Sequence, residues 1–537
     1  MTKERLYLFD TTLRDGAQTT GVDFSLADKR RIAGVLDDLG IDYIEGGFPG
    51  ANTTDSEFFA SKPNFTAATF TAFGMVKRAG RSVANDPGLQ AVLSSKASAI
   101  CLVAKAWDYH VRVALGITNE ENLESIDQSM RAIVAGGREA MIDCEHFFDG
   151  YKANRAYALA VAKTAYEAGA RWVVLCDTNG GTLPHEVERI VADVATVVPG
   201  SNLGIHTHND TENAVANTLM AVRSGCRQIQ GTLNGIGERC GNANLTSVIP
   251  TLLLKSEFAE RFATQVTPER LCTLSHASRV LDEVLNRAPD RHAPYVGESA
   301  FATKAGIHAS ALVKEPETYE HVPPESVGNA RRLLVSAQAG KSNVLATLQR
   351  LKIAVDKDDP RLQTLLDEVK SREAAGYSYE AAEASFELLA RRTLGTVPQY
   401  FTVDSFRVIV ERRHNALGQL ITVSEASVKV HISGDKELLW SVGEGNGPVN
   451  ALDQALRRDL GRYQRHIKDI ELIDYKVRIL TGGTEAVTRV LVESLDTVSG
   501  ERWVTVGVSP NIIDASFEAL LDAINYKLLR DKAVVAA

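Results

Sequence analysis

The sequence predicts an α/β protein in three parts. An N-terminal (β/α)8 barrel spans residues 1–265, helical linker subdomains span 266–400, and a C-terminal α+β domain spans 401–537. Three observations carry this reading. Short β-branched or apolar runs alternate with amphipathic stretches through roughly 250 residues, the rhythm of a closed parallel barrel. The first run passes into Arg14-Asp15-Gly16 and not into the glycine-rich phosphate turn of an open doubly wound sheet. After about residue 265 the alternation stops, and beyond Phe401 the sequence is rich in strands and repeats itself.

The barrel strands are expected at Leu6–Thr11, Tyr43–Gly47, Ala68–Ala72, Ala99–Ala104, Ala140–Glu145, Trp172–Asp177, Leu203–His208 and Gln228–Leu233. Helical patterns between them include Ser25–Leu39, Asn122–Ala135, Tyr157–Ala168 and Leu183–Val198. In the middle region, helical segments are broken at Ala293-Pro294-Tyr295-Val296-Gly297 and Val322-Pro323-Pro324. In the last region, Trp440-Ser441-Val442-Gly443 through Asn450-Ala451 to Ala455-Leu456 matches Val504-Thr505-Val506-Gly507 through Asp514-Ala515 to Ala519-Leu520 without a gap. Each copy reads as a strand ending at glycine, a loop, and a helix capped by Asn450 or Asp514. The pair suggests a pseudo-twofold module that binds a small regulator between its halves, or one that serves oligomerisation without a ligand.

A chain of 537 residues with 44% hydrophobic and 24% charged content is a globular protein of two or three domains. Its net charge of −9 argues against nucleic-acid and membrane-surface partners. No apolar run is long enough to span a bilayer. Met1-Thr2-Lys3-Glu4-Arg5 leads straight into a strand-like run, without a signal-peptide pattern. Cys101, Cys144, Cys176, Cys226, Cys240 and Cys272 show no C-x-x-C spacing, which fits reduced thiols in a cytoplasmic enzyme.

In such a barrel, polar residues at the C-terminal strand ends face the active site. Here those are Asp10, Arg14 and Asp15 on strand one, Glu45 on two, Glu145 on five, Asp177 and Thr178 on six, His206 and His208 on seven, and Asn234 to Asn242 after eight. His206 and His208 share one face of their strand, and paired imidazoles suit a metal. Asp15 adds a carboxylate oxygen, which leaves about three positions of an octahedral ion for a chelating substrate and water. Arg14 is placed to hold a carboxylate or a developing alkoxide, and Glu145 to act as a general base. The Thr178 hydroxyl suits a substrate carboxylate. Singly, each has an ordinary reading as a rim salt bridge, a paired carboxylate or a turn residue. Gly235–Asn242 lacks the Lys-Ser/Thr of a phosphate loop, so its glycines read as close backbone approach, with the Asn242 amide oxygen offered to the same ion. His308, in Lys304-Ala305-Gly306-Ile307-His308-Ala309-Ser310, is functional only where that region covers the barrel mouth.

Together these stretches resemble the metal-dependent Claisen-condensing acyltransferases and lyases built on a TIM barrel. That family includes isopropylmalate, homocitrate and citramalate synthases and hydroxymethylglutaryl-CoA lyase. Asp10–Gln18, His206–Asp210 and Gly235–Asn242 carry the resemblance, and Gly306-Ile307-His308 matches the synthases. The last region is similar to the leucine-responsive regulatory domain of isopropylmalate synthases. Thr19–Ser25, Asp42–Asn52, Glu145–Asn154 and Cys176–Glu186 resemble the citramalate synthase branch.

The resemblance implies a divalent metal (Mn2+, Mg2+ or Zn2+) on Asp15, His206, His208 and Asn242. It also implies a keto acid on Arg14 and Thr178, and an acid/base pair in Glu145 and His308. Acetyl-CoA would bind near His308 and the segment after it. Asp143 departs from the pattern, because a shorter type of citramalate synthase has an aromatic residue there. The implied reaction joins acetyl-CoA, pyruvate and water for isoleucine biosynthesis, in a homodimer with isoleucine as effector. A 2-isopropylmalate synthase using 2-oxoisovalerate, a hydroxymethylglutaryl-CoA lyase, an unrelated metal-dependent aldolase and a non-enzymatic keto-acid-binding metalloprotein are the alternatives the residues leave open.

Overall fold

The computed structural model describes residues 3–535 except 62, 304–305, 334–340, 380, 415 and 481–485; Lys304 and Ala305 of the His308 motif therefore lie outside the described residues. Two compact units emerge: Met1–Phe301 with His321–Arg331, and Ala302–Glu320 with Arg332–Ala537.

The first unit is a closed barrel of parallel strands: β1 (Tyr7–Asp10), β2 (Tyr43–Glu45), β3 (Thr69–Met75), β4 (Ala99–Lys105), β5 (Glu139–Glu145), β6 (Trp172–Asp177), β7 (Leu203–Thr207) and β8 (Gln228–Gly231). Every expected strand is present, with ends shifted by a few residues. Each strand leads to a helix: α1 (Leu26–Leu39), α2 (Thr53–Ala60), α3 (Pro87–Leu93), α4 (Asn119–Ala135), α5 (Arg155–Glu167), α6 (Pro184–Val194), α7 (Ala214–Ser224) and α8 (Leu245–Leu254). Caps set the helix starts. Ser25 and Asp28 satisfy each other's backbone N–H groups at the start of α1, and Thr118 and Glu121 do so for α4. The latter pair starts α4 three residues before the Asn122 that periodicity alone suggests.

Alternating strand residues divide the core in two. Phe9, Tyr43, Ala99, Cys101, Met141, Trp172, Val174 and Cys176 fill the barrel interior. Leu8, Ile44, Ile100, Ile142, Val173 and Ile205 face the helices. This layering closes the barrel below its C-terminal rim and leaves that rim to polar side chains. All cysteines are free, and among the described residues no helix is long and apolar enough to cross a membrane.

The second unit holds helices and two three-stranded antiparallel sheets. The first sheet is β9 (Phe401–His414), β10 (Leu420–Ile432) and β11 (Leu438–Gly445), followed by a helix at Pro448–Arg458. The second is β12 (Ile470–Ile479), β13 (Thr488–Asp496) and β14 (Arg502–Ser509), followed by a helix at Ile512–Arg530. The repeat is thus a three-strand meander plus a helix. A bulge recurs near the start of each first strand, at Val403/Ser405 and at Leu472/Asp474.

The strands run two residues past the matching glycines. The caps are Gly447 and Asn511, so Asn450 and Asp514 sit inside the first helical turn and do not cap it. The matched glycines have a different task. A Cβ on Gly443 would lie 2.5 Å from the Ala455 nitrogen, and one on Gly507 would lie 2.0 Å from the Ala515 oxygen. The repeat is therefore a packing motif: a strand glycine against helix alanines, which lets helix backbone rest on the sheet.

Candidate metal and keto-acid site

The loop after β1 is folded by its own side chains. The Asp10 carboxylate accepts from the Thr12 N–H and hydroxyl, both at 2.8 Å, and the Thr12 hydroxyl accepts from the Leu233 N–H at 2.9 Å. This ties the β1 loop to the β8 loop. The N–H groups of Arg14 and Asp15 both return to the Thr11 carbonyl, so successive residues turn into the barrel mouth.

Asp15 meets the two histidines there. Its Oδ2 lies 3.2 Å from His206 Nε2 and 3.9 Å from His208 Nε2, and the two Nε2 atoms are 3.4 Å apart. Neighbouring ligands of an octahedral ion with bonds near 2.1 Å stand about 3 Å apart, so the three atoms suit one face of such an ion. Asn242 pairs with His208 through an isolated bridge. Its Nδ2 donates to the Ile236 carbonyl at 3.2 Å, while its Oδ1 is buried without a partner. An orphaned acceptor beside converging ligands is what a cation satisfies. The glycines of this loop make room: a Cβ on Gly237 would stand 2.2 Å from Asn242 Nδ2.

Arg14 enters from the other side. Its Nε donates to Glu45 Oε2 at 2.7 Å, its other nitrogens lie 3.5 Å from Asp15 and 3.9 Å from Asp143, and its guanidinium stacks 4.1 Å over Phe73. Three carboxyl groups around one guanidinium leave the buried cluster short of positive charge, which a divalent ion would supply. Burial pushes the Asp15 carboxyl up, but Arg14 and His206 outweigh it and hold it well below the usual carboxylate range. Burial raises Glu45 against the opposing charge of Arg14. It also opposes protonation of His206, yet Asp15 lifts that imidazole above its ordinary value. His208 is pushed down to about 4 by burial and by His206, so it is neutral at physiological pH and ready to ligate.

Glu145 ends β5 and forms an ion pair with Lys105 at the end of β4. The Thr178 hydroxyl accepts from the His146 N–H at 2.8 Å, which leaves its own proton free for an incoming carboxylate. Arg239 ties three rim loops together: it donates twice to Asp210 at 2.8 Å and once to the Thr178 carbonyl at 2.7 Å. Asp177 is structural, holding the Thr182 N–H and hydroxyl. His308 belongs to the second unit, on the helix Gly306–Lys314, with its ring 4.2 Å from that of Tyr319. The barrel thus gathers Arg14, Asp15, His206, His208 and Asn242, with Glu145 and Thr178 on its rim. Lys105 and Gln230 were missed from sequence. Gln228 and Gln230 alternate on an otherwise apolar strand, a pattern that marks residues pointing into the barrel.

The fold and this site define a metal-centred (β/α)8 enzyme scaffold, and residues 5–277 match the model of the HMGL-like family, to which the chain belongs. Residues 295–376 match a homocitrate synthase post-HMGL domain-like model, and residues 380–528 match the LeuA allosteric (dimerisation) domain. Along its length the chain is 48% identical to the (R)-citramalate synthase of Aquifex aeolicus, covering 98% of this chain and 99% of the relative. It is also 48% identical to the (R)-citramalate synthase of Geobacter sulfurreducens, with 98% of each covered. A probable 2-isopropylmalate synthase of Methanopyrus kandleri is 32% identical, with 97% of this chain and 98% of the relative covered.

Proposed function

We propose that this chain is an (R)-citramalate synthase, which condenses acetyl-CoA with pyruvate and water to give (R)-citramalate and CoA. The observation that supports this most is the buried Asp15–His206–His208 face beside Arg14, in a chain whose full-length relatives at 48% identity carry that activity. Asp15, His206, His208 and Asn242 hold a divalent cation, which when bound supplies Lewis-acid polarisation of the keto group. Arg14 donates hydrogen bonds to the oxygen that becomes the alkoxide, and Thr178 binds the keto-acid carboxylate. Glu145 and His308 form the acid/base pair, one of which removes a proton from the acetyl methyl group. The resulting carbanion forms the C–C bond to pyruvate C2 as the C2–O π bond opens, and the alkoxide takes up a proton from the acid member of the pair. Water then cleaves the thioester and CoA leaves with a proton.

The enzyme is cytoplasmic and serves isoleucine biosynthesis. It is a homodimer through the C-terminal region, with isoleucine as effector. The match to an allosteric dimerisation domain supports this, as does the outer face of the first sheet, where Leu438, Trp440 and Val442 are exposed. The rival is 2-isopropylmalate synthase, since one or two methylenes in an apolar pocket shift preference by only about 1–3 kcal/mol. Thiol release from acetyl-CoA with a panel of keto acids decides between them. Pyruvate is expected to give the highest kcat/KM; a clear preference for 2-oxoisovalerate would refute the assignment.

A further inference from the structure

We propose that Gln230 and Asp143 are positioning residues for the metal centre: through one amide, Asp143 decides which nitrogen of His206 carries the proton and which is left for the ion. The inference rests on the cation site proposed above and concerns this chain's own hydrogen bonds. Gln230 and Asp143 are both buried, on β8 and β5. Gln230 Nε2 donates to Asp143 Oδ1 at 3.0 Å. A carboxylate offers only acceptors, so it holds the amide nitrogen on its own side. The amide oxygen is thereby turned to His206, whose Nδ1 lies 2.8 Å away.

That oxygen can only accept, so Nδ1 carries the hydrogen. In the neutral imidazole, the form that binds a metal, Nε2, which faces Asp15 and His208, then keeps the lone pair that an ion needs. Without Asp143 the amide is free to turn and present its NH2 to Nδ1. The imidazole proton then moves to Nε2, where it blocks coordination. Asp143 also lies 3.9 Å from Arg14, so one carboxylate reaches the His206 imidazole through the amide and borders the guanidinium directly. Its other close neighbours are Glu45, which accepts from Arg14, and Cys101.

The test is Mn2+ binding to the purified full-length chain, read from the EPR signal of free Mn2+ and independent of turnover. Gln230→Leu removes no charge, and Asp143→Leu removes the acceptor that holds the amide at little change in size. Each is expected to weaken Mn2+ binding about 10–100-fold. The double variant is expected to fall no more than about twofold below the weaker single, because both break one chain of hydrogen bonds. Should Gln230→Leu not fold, Asp143→Leu carries the test alone. Binding within about twofold of wild type in either single variant, or losses that multiply in the double variant, would overturn the proposal. A wild-type chain that binds no Mn2+ would instead overturn the cation site, and this proposal with it.

Discussion

Arg14→Ala is expected to lower turnover with pyruvate about 10²–10³-fold, the usual loss when one preorganised donor to a developing oxyanion is removed. The guanidinium is preorganised on every side: Glu45 accepts from Nε, Asp15 and Asp143 flank the other nitrogens, and Phe73 supports its face. Nothing needs to move as charge develops on the substrate oxygen. The same geometry separates turnover from metal affinity. Removing Arg14 takes a positive charge away from Asp15, so Mn2+ binding should hold or strengthen while turnover collapses. Steady-state kinetics alongside Mn2+ titration checks both halves. Turnover near wild type would contradict the role given to Arg14.

The second large effect is on stability and lies one layer behind that arginine. Lys29→Met is expected to destabilise the barrel by about 3–5 kcal/mol, because it strands a buried carboxyl group without its cation. The Lys29 ammonium is buried on α1 and donates to the Leu13 carbonyl at 3.0 Å, the Gly46 carbonyl at 2.9 Å and the Asp55 carboxylate. Asp55 also accepts from the Phe48 N–H at 2.9 Å. Gly47 passes so close, at a φ of +134°, that a Cβ there would stand 2.4 Å from Asp55 Oδ2. The Gly46-Gly47-Phe48-Pro49-Gly50 stretch is therefore a wrap around one buried ion pair. Leu13 precedes Arg14 and Gly46 follows Glu45, so Lys29 clips the backbone on both sides of the Arg14–Glu45 pair. Urea denaturation should show the loss, with partial recovery in Lys29→Met/Asp55→Leu, which leaves no stranded charge. A loss below about 1 kcal/mol, the range of exposed pairs, would contradict this.

The barrel was legible in the sequence because strands buried on both faces read as continuous apolar runs between amphipathic stretches. The candidate ligands were legible for a local reason: Asp15 in its turn, and His206 and His208 at alternate positions, announce themselves within a few residues. What joins them did not. Arg14 meets Glu45 from 31 positions away, and Gln230 meets Asp143 from 87. Barrel closure creates these contacts, and no local pattern encodes them. Glu45 read only as one more rim acid, and Lys105 fell just past the expected Ala99–Ala104 run, until the pairing of β4 with β5 set it against Glu145. In the C-terminal region the repeat was visible but its glycines were misread as strand ends. They are the points where helix backbone presses on the sheet, a role that depends on the opposite partner and not on the neighbouring residues.

Condensation is expected to depend on a divalent cation held by Asp15, His206 and His208. The most direct test follows pyruvate-dependent CoA release before and after removal of metal by a chelator, and again after a divalent cation is restored. Activity should vanish on chelation and return with Mn2+ or a similar ion in the wild type, but not return in Asp15→Asn. Full turnover by the chelated wild-type enzyme would contradict the account.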